Sequence, residues 1–140
     1  MVPINYWAVL VSAILTMGIG YLWYGPLFGK QWIALMGWDY TDVEQKMRQG
    51  VGPQYLIQAI SALVMSFVLA HYIVFAGSFL HQNGFLAGIE GGIWAWLGFV
   101  VPVSLGTVLW DGKPWKLWAI NVGFYFATLI ISGAILGYWA

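Results

Sequence analysis

The chain has 140 residues, 61% of them hydrophobic and 7% charged, with five basic and five acidic side chains and no net charge. A soluble domain carries roughly 25% charged residues, so this chain could not cover its surface in water. Its neutrality gives no footprint for nucleic acid, and the absence of cysteine excludes disulfides, thiol catalysis and cysteine-held metals.

The composition predicts an all-α integral membrane protein, a single four-helix transmembrane domain over 1–140. Four apolar stretches reach the ~20 residues that a bilayer requires, at about 6–24, 55–76, 85–110 and 115–139. The first is too long for a signal peptide and lacks the basic start and small-residue cleavage site, so it is expected to be retained. Along it Asn5, Ser12 and Thr16 share one helical face.

The connection 25–53 is expected to be partly helical. Leu27, Phe28, Trp32, Leu35 and Met36 could line one face of a short interfacial helix. Thr41 followed three residues later by Glu44 reads as a capping box, and Asp42 with Lys46 as an i,i+4 pair. Gly50, Gly52 and Pro53 are expected to stop that helix before the second span.

In lipid, helices associate by close packing, so small residues at four-residue spacing mark contact faces. The second span offers Ala62, Ser66 and Ala70, with Gln58 near Ser66. The third offers Gly84, Gly88 and Gly92, a double GxxxG, with Gly91, Ala95, Gly98, Pro102 and Gly106 on the same face. Pro102 is expected to kink this span, with Ser104 available to compensate. The fourth offers Ala119, Gly123, Ala127, Ala134 and Gly137, and Gly133 is a further packing glycine there. Whether these seams join helices of one chain or of two is open.

Polar residues lie off the seams. Asn121, Tyr125, Thr128 and Ser132 form one face of the fourth span. Glu90 lies about 130° around the third helix from the glycines, beside Trp94, and five residues into the span, roughly 8 Å deep. An intramembrane carboxylate is a functional-site hypothesis in its own right. His71 stands at a matching depth in the second span and could pair with Glu90, although it is off that helix's small face. For Ser12, Thr16, Thr128 and Ser132 the plain alternative is a bond to their own i−4 carbonyl. For Asn121 and Gln58 it is an interhelical hydrogen bond. Asp111 in WDGKPWKLW reads as a turn residue pairing a local lysine.

All five basic residues (Lys30, Lys46, Arg48, Lys113 and Lys116) fall on one side of the membrane in this topology, while the connection 77–84 has none. The positive-inside rule makes that side cytoplasmic and puts both termini outside. The tryptophans agree as an aromatic belt, with Trp23, Trp32, Trp38, Trp110, Trp115 and Trp118 at the inner interface and Trp7 and Trp139 at the outer.

Two long stretches, NYWAVLVSAILTMGIGYLWYGPLFGKQWIALMGW and WLGFVVPVSLGTVLWDGKPWKLWAINVGFYFATLIISGAILGYW, resemble the bacterial family catalogued as domain of unknown function 1761. WYGPLFGK (Trp23–Lys30) and the run Leu97–Trp118 are the most specific pieces. The resemblance covers nearly the whole chain. It implies a small four-helix protein, here of the bacterial inner membrane, and brings no established activity or catalytic residues.

Three functions follow from these residues. One is binding or transport of a small solute or ion, with proton coupling through Glu90 as one version, by a homo-oligomer, most simply a dimer. Its site candidates are Glu90, His71, Trp94, Asn121, Tyr125, Thr128 and Ser132. The second is an accessory subunit of a larger membrane complex. The third, an intramembrane enzyme using Glu90 or Asp111, lacks a nucleophile, a metal motif or a partner acid. No cofactor is implied.

Overall fold

The structure is a computed structural model and describes residues 3–139. It is all helical over these residues. Six helices follow one another: α1 (Tyr6–Leu27), α2 (Gly29–Met36), α3 (Tyr40–Gln49), α4 (Gly52–Leu80), α5 (Phe85–Leu109) and α6 (Trp115–Tyr138). Four of them, α1, α4, α5 and α6, are long and apolar enough to cross a membrane, so the chain reads as a multi-pass membrane protein. Its two ends can be told apart by charge. The basic end carries α2, α3 and the α5–α6 turn with every Lys and Arg; the terminal end carries Asn5, Trp139 and the α4–α5 turn.

Asn5 caps α1, its side chain accepting from the amides of Trp7 and Ala8 at 3.1 and 3.2 Å. α1 then outruns its expected end at residue 24. Pro26 cannot donate to the helical ladder, and the chain widens into a π turn over Trp23–Leu27, closed by the Phe28 amide on the Trp23 carbonyl at 2.8 Å. Gly29 follows at once because a Cβ there would lie 2.5 Å from the Tyr24 carbonyl oxygen. This close turn is the physical content of WYGPLFGK, and it folds α2 back beneath the bundle.

Several local expectations need correcting. α3 is capped by Asp39 rather than Thr41: Asp39 Oδ1 accepts from the Thr41 amide at 2.8 Å and its hydroxyl at 2.7 Å. These two bonds hold the exposed Asp39 carboxyl below its ordinary range. Glu44 is thereby free to pair with Arg48 at 2.8 Å, in place of the expected Asp42–Lys46 pair. Lys46 instead lies over the Trp38 ring, 5.9 Å from its centroid. Gly50 does end α3, at φ 100°. Gly52 and Pro53, however, open α4 rather than separating it from the loop, since proline is at home in the first helical turn. α4 also runs on to Leu80, which shortens the 77–84 connection to a tight turn through His81 and Gly84. Lys113 reaches the Met36 carbonyl at 3.4 Å rather than Asp111.

The tightest packing joins α5 to α6. A Cβ on Gly88 or Gly133 would strike the other's carbonyl, and one on Gly137 would lie 2.8 Å from the Gly88 Cα. Gly92 meets the Leu129 carbonyl in the same way, and Gly84 lends its carbonyl to the contact with Gly137. The GxxxG seam therefore closes within one chain. It holds only as far as the middle of α5. Gly91 turns toward Ile73 of α4, while Gly98 meets nothing within 4 Å. The reason is a π turn over Trp96–Val100, ahead of Pro102, whose extra residue rotates the rest of the helix off the seam. On α6, Gly123 faces the Trp23 ring (3.2 Å) rather than α5, and Ala119 is exposed.

Candidate functional site

α1 and α6 pack antiparallel with their polar faces toward each other. Asn5 Nδ2 donates to the Trp139 carbonyl at 3.4 Å, Gly20 sits against the Phe124 ring, and Trp23 Nε1 donates to the Ile120 carbonyl at 3.0 Å. This register puts Ser12 level with Ser132, and Thr16 level with Thr128. α4 lies alongside, with Ala70 near Ala8 and Gln58 near Gly20, which puts Ser66 at the level of Ser12. The buried polar side chains among the described residues are these five: Ser12, Thr16, Ser66, Thr128 and Ser132.

They are not equivalent. Thr128 bonds its own helix, donating toward the Phe124 and Tyr125 carbonyls at 3.1 and 3.2 Å, the plain alternative for such residues. Ser12 (0% exposed), Thr16 (3%) and Ser66 (0%) have hydroxyls with no hydrogen-bond partner. A hydroxyl buried without a partner costs about 1–3 kcal/mol by mutational measures. Three of them lie on the facing surfaces of α1 and α4 and form a polar track.

Toward the basic end this track meets a cleft of about 390 Å3. Thr16 stands at its inner limit, Met17, Gly20, Tyr21 and Tyr24 form the α1 wall, Tyr55 and Gln58 the α4 wall, and Phe124 and Tyr125 the α6 wall; Met47 reaches in from α3. Two further hollows, of about 670 and 350 Å3, also border on Tyr24 and continue under α2 and α3, past Lys30 and Tyr40. Tyr24 is thus the hub. It is fixed by Asn121, whose Oδ1 accepts from the Tyr24 hydroxyl at 3.0 Å and from Trp32 Nε1 at 3.1 Å. Phe124 packs on the Tyr24 ring at 5.2 Å and Trp32 meets it edge-on at 5.6 Å.

The structure therefore gathers Asn121, Tyr125 and Thr128 of the expected candidates near one cleft, with Ser132 a turn beyond. It adds Thr16, Tyr24, Trp32, Tyr55 and Gln58. Glu90, Trp94 and His71 lie elsewhere. Glu90 is exposed, in a groove of about 170 Å3 between α4 and α5 with Tyr72, Gln82 and Trp94. Its hydrogen bond is to Trp94 Nε1, one turn along, at 3.4 Å. His71 does not meet it. His71 Nδ1 is bonded to the Phe67 carbonyl at 2.9 Å, and the ring packs between Phe67 and Phe75. Among the described residues no three His, Cys, Asp or Glu side chains are grouped so as to hold a metal.

The tryptophans also join the helices to one another. Trp23, Trp96 and Trp118 spend their indole N–H on the Ile120 carbonyl, the Val122 carbonyl (2.9 Å) and the Ser104 hydroxyl (2.9 Å). Together with Trp32 on Asn121 they tie α1, α2 and α5 to the basic half of α6.

Residues 7–137 match the profile of the family described as Protein of unknown function (DUF1761). The chain belongs to the DUF1761 family. No curated protein and no solved structure matches it. Both pieces that carried the resemblance, WYGPLFGK and the run Leu97–Trp118, lie within the matched residues; the first forms the wall at Tyr24, and the second ends at the Ser104–Trp118 bond.

Proposed function

We propose that this DUF1761 protein binds a small, uncharged, amphipathic solute in the cleft around Tyr24 and carries it along the polar track between α1, α4 and α6. The observation that supports this reading best is the Thr16 hydroxyl, buried and unpartnered at the inner limit of a cleft walled largely by aromatic rings and methionines, with Gln58 on the α4 side. A volume of about 390 Å3 falls within the range of small-molecule sites, roughly 300–1,000 Å3. An uncharged solute fits because, among the described residues, no charged side chain borders this cleft. Ser12 and Ser66, unpartnered in turn, supply the next hydrogen-bonding positions toward the terminal end. With the basic end taken as cytoplasmic by the positive-inside rule, the cleft opens inward and the termini lie outside.

Flux of a neutral aromatic alcohol such as benzyl alcohol into proteoliposomes tests the reading, measured above the lipid-only rate. Wild type should accelerate entry, and Thr16→Val, which keeps shape and removes the hydroxyl, should bring it close to the lipid-only rate. Equal flux in both would overturn it.

A second reading, a homo-oligomer or a subunit of a larger membrane complex, draws on one observation: Glu90 stands exposed on α5, the least buried of the four long helices. The glycines no longer support it, since their seam is closed within the chain. Purification in mild detergent followed by native mass spectrometry separates the cases: a dimer or a stoichiometric foreign partner favours this reading, and a monomer removes it.

A further inference from the structure

We infer that the groove beside Glu90 is a second site, separate from the Tyr24 cleft, and that it takes an organic ammonium group. The carboxylate lies roughly 8 Å from the terminal end of α5, at 1.5 Å per residue. A charge at that depth needs a countercharge. Among the described residues no basic side chain stands on the groove wall; His81, in the α4–α5 turn between Leu80 and Gln82, is not part of it. Every Lys and Arg belongs to the basic end, the groove wall contains no histidine, and His71 is turned to the Phe67 carbonyl. Among the described residues, Tyr72 is the other titratable side chain on the wall.

The groove has the shape and chemistry to take a cation from outside. Trp94 is held along the carboxylate by its 3.4 Å bond, and Tyr72 presents a second ring from α4. A carboxylate flanked by aromatic rings is the arrangement that recognises alkylammonium ions, with the ring faces attracting the charge. Gln82 adds a polar group at the mouth. The hollow of about 170 Å3 equals about six water volumes, enough for a small ammonium head. Glu90, Trp94 and Tyr72 are all exposed, so an attached chain can leave into the surrounding lipid. The ammonium can come from a free amine or from a phospholipid headgroup lying at this level.

The test uses the full chain, purified and delipidated in a zwitterion-free detergent. Choline is titrated by calorimetry against 3,3-dimethylbutan-1-ol, its uncharged counterpart, with sodium chloride matching ionic strength. In parallel, native mass spectrometry measures retention of phosphatidylethanolamine against phosphatidylglycerol. Choline binding without dimethylbutanol binding supports the site with a free amine as ligand. Selective retention of phosphatidylethanolamine without choline binding supports it with a lipid headgroup. In either case Glu90→Gln should weaken the preference by about tenfold or more, and Trp94→Leu, which keeps the charge, should weaken it less. Circular dichroism establishes that both variants fold. No preference for either ammonium ligand, or a preference that survives in Glu90→Gln, would overturn the proposal.

Discussion

Gly88 of α5 and Gly133 of α6 meet backbone to backbone, each occupying the space that a Cβ on the other would need. Gly92 and Gly137 extend the contact on either side, so the seam is held by shape rather than by polar groups. Gly88→Ala or Gly133→Ala should therefore lower stability by about 1–3 kcal/mol, the range for overpacking a closed interface. Gly98→Ala, with no atom within 4 Å, should be neutral or slightly favourable. Reversible unfolding in mixed micelles gives the comparison, and equal effects at positions 88 and 98 would show that the seam is not where the stability lies.

Asn121 accepts from two donors at once, so its loss leaves both the Tyr24 hydroxyl and the Trp32 indole without their acceptor. Asn121→Ala should cost more than Tyr24→Phe, by about 1 kcal/mol. A double-mutant cycle between Tyr24→Phe and Asn121→Ala should give a coupling of about 0.5–1.5 kcal/mol, in the range of hydrogen bonds between transmembrane helices. Additive effects would mean that the two side chains do not interact.

The buried Ser66 hydroxyl has no hydrogen-bond partner within the protein. Ser66→Ala should leave stability unchanged or raise it by up to about 1 kcal/mol while slowing solute flux. A loss of stability greater than about 1 kcal/mol would show that the hydroxyl is already bonded.

Asp39 gives α3 a dependence on pH. Its folded carboxyl titrates below the ordinary value of 3.8 because the Thr41 hydroxyl and amide bond the ionised form. The cap is therefore fully present above that value and is lost as the pH falls through the lower, folded one. The protection factor of the Thr41 amide, its exchange rate corrected for the intrinsic pH dependence, should fall in wild type only as the pH drops below 3.8 through the folded value. In Asp39→Ala it should be low already at neutral pH. A protection factor that does not change across the acid range would remove Asp39 as the cap.

Four spans, their chain positions and the glycine faces were legible because they follow from hydropathy and a 3.6-residue period. The same period placed Glu90 away from Gly88 and Gly92, and the structure agrees. What was not legible depends on the backbone departing from that period. Pro26 and Pro102 are absorbed by π turns, which carried α1 past its expected end and swung Gly98 off its seam. Pro53 looked like a terminator but suits the first turn of α4. The site was legible in part. Asn121, Tyr125, Thr128 and Ser132 showed as a polar stripe, yet nothing in one helix says which neighbour it faces. Trp32 was hidden among residues that read as interfacial, and Tyr24 in what read as the end of the first span. Their signal was a tyrosine and a tryptophan beside a motif rich in glycine and proline, at the same membrane level as Asn121.

The central claim is that the cleft around Tyr24 holds a neutral amphipathic solute. Benzophenone photochemistry favours methionine C–H bonds, and Met17 and Met47 both wall the cleft, whereas Met65 of α4 does not. The direct measurement is photolabelling of the protein in lipid nanodiscs with 4-(hydroxymethyl)benzophenone, mapped by peptide mass spectrometry. Labelling should concentrate on Met17 and Met47 over Met65, saturate with probe concentration, and fall in Thr16→Val. Labelling spread evenly over the three methionines, or unchanged in Thr16→Val, would contradict the account.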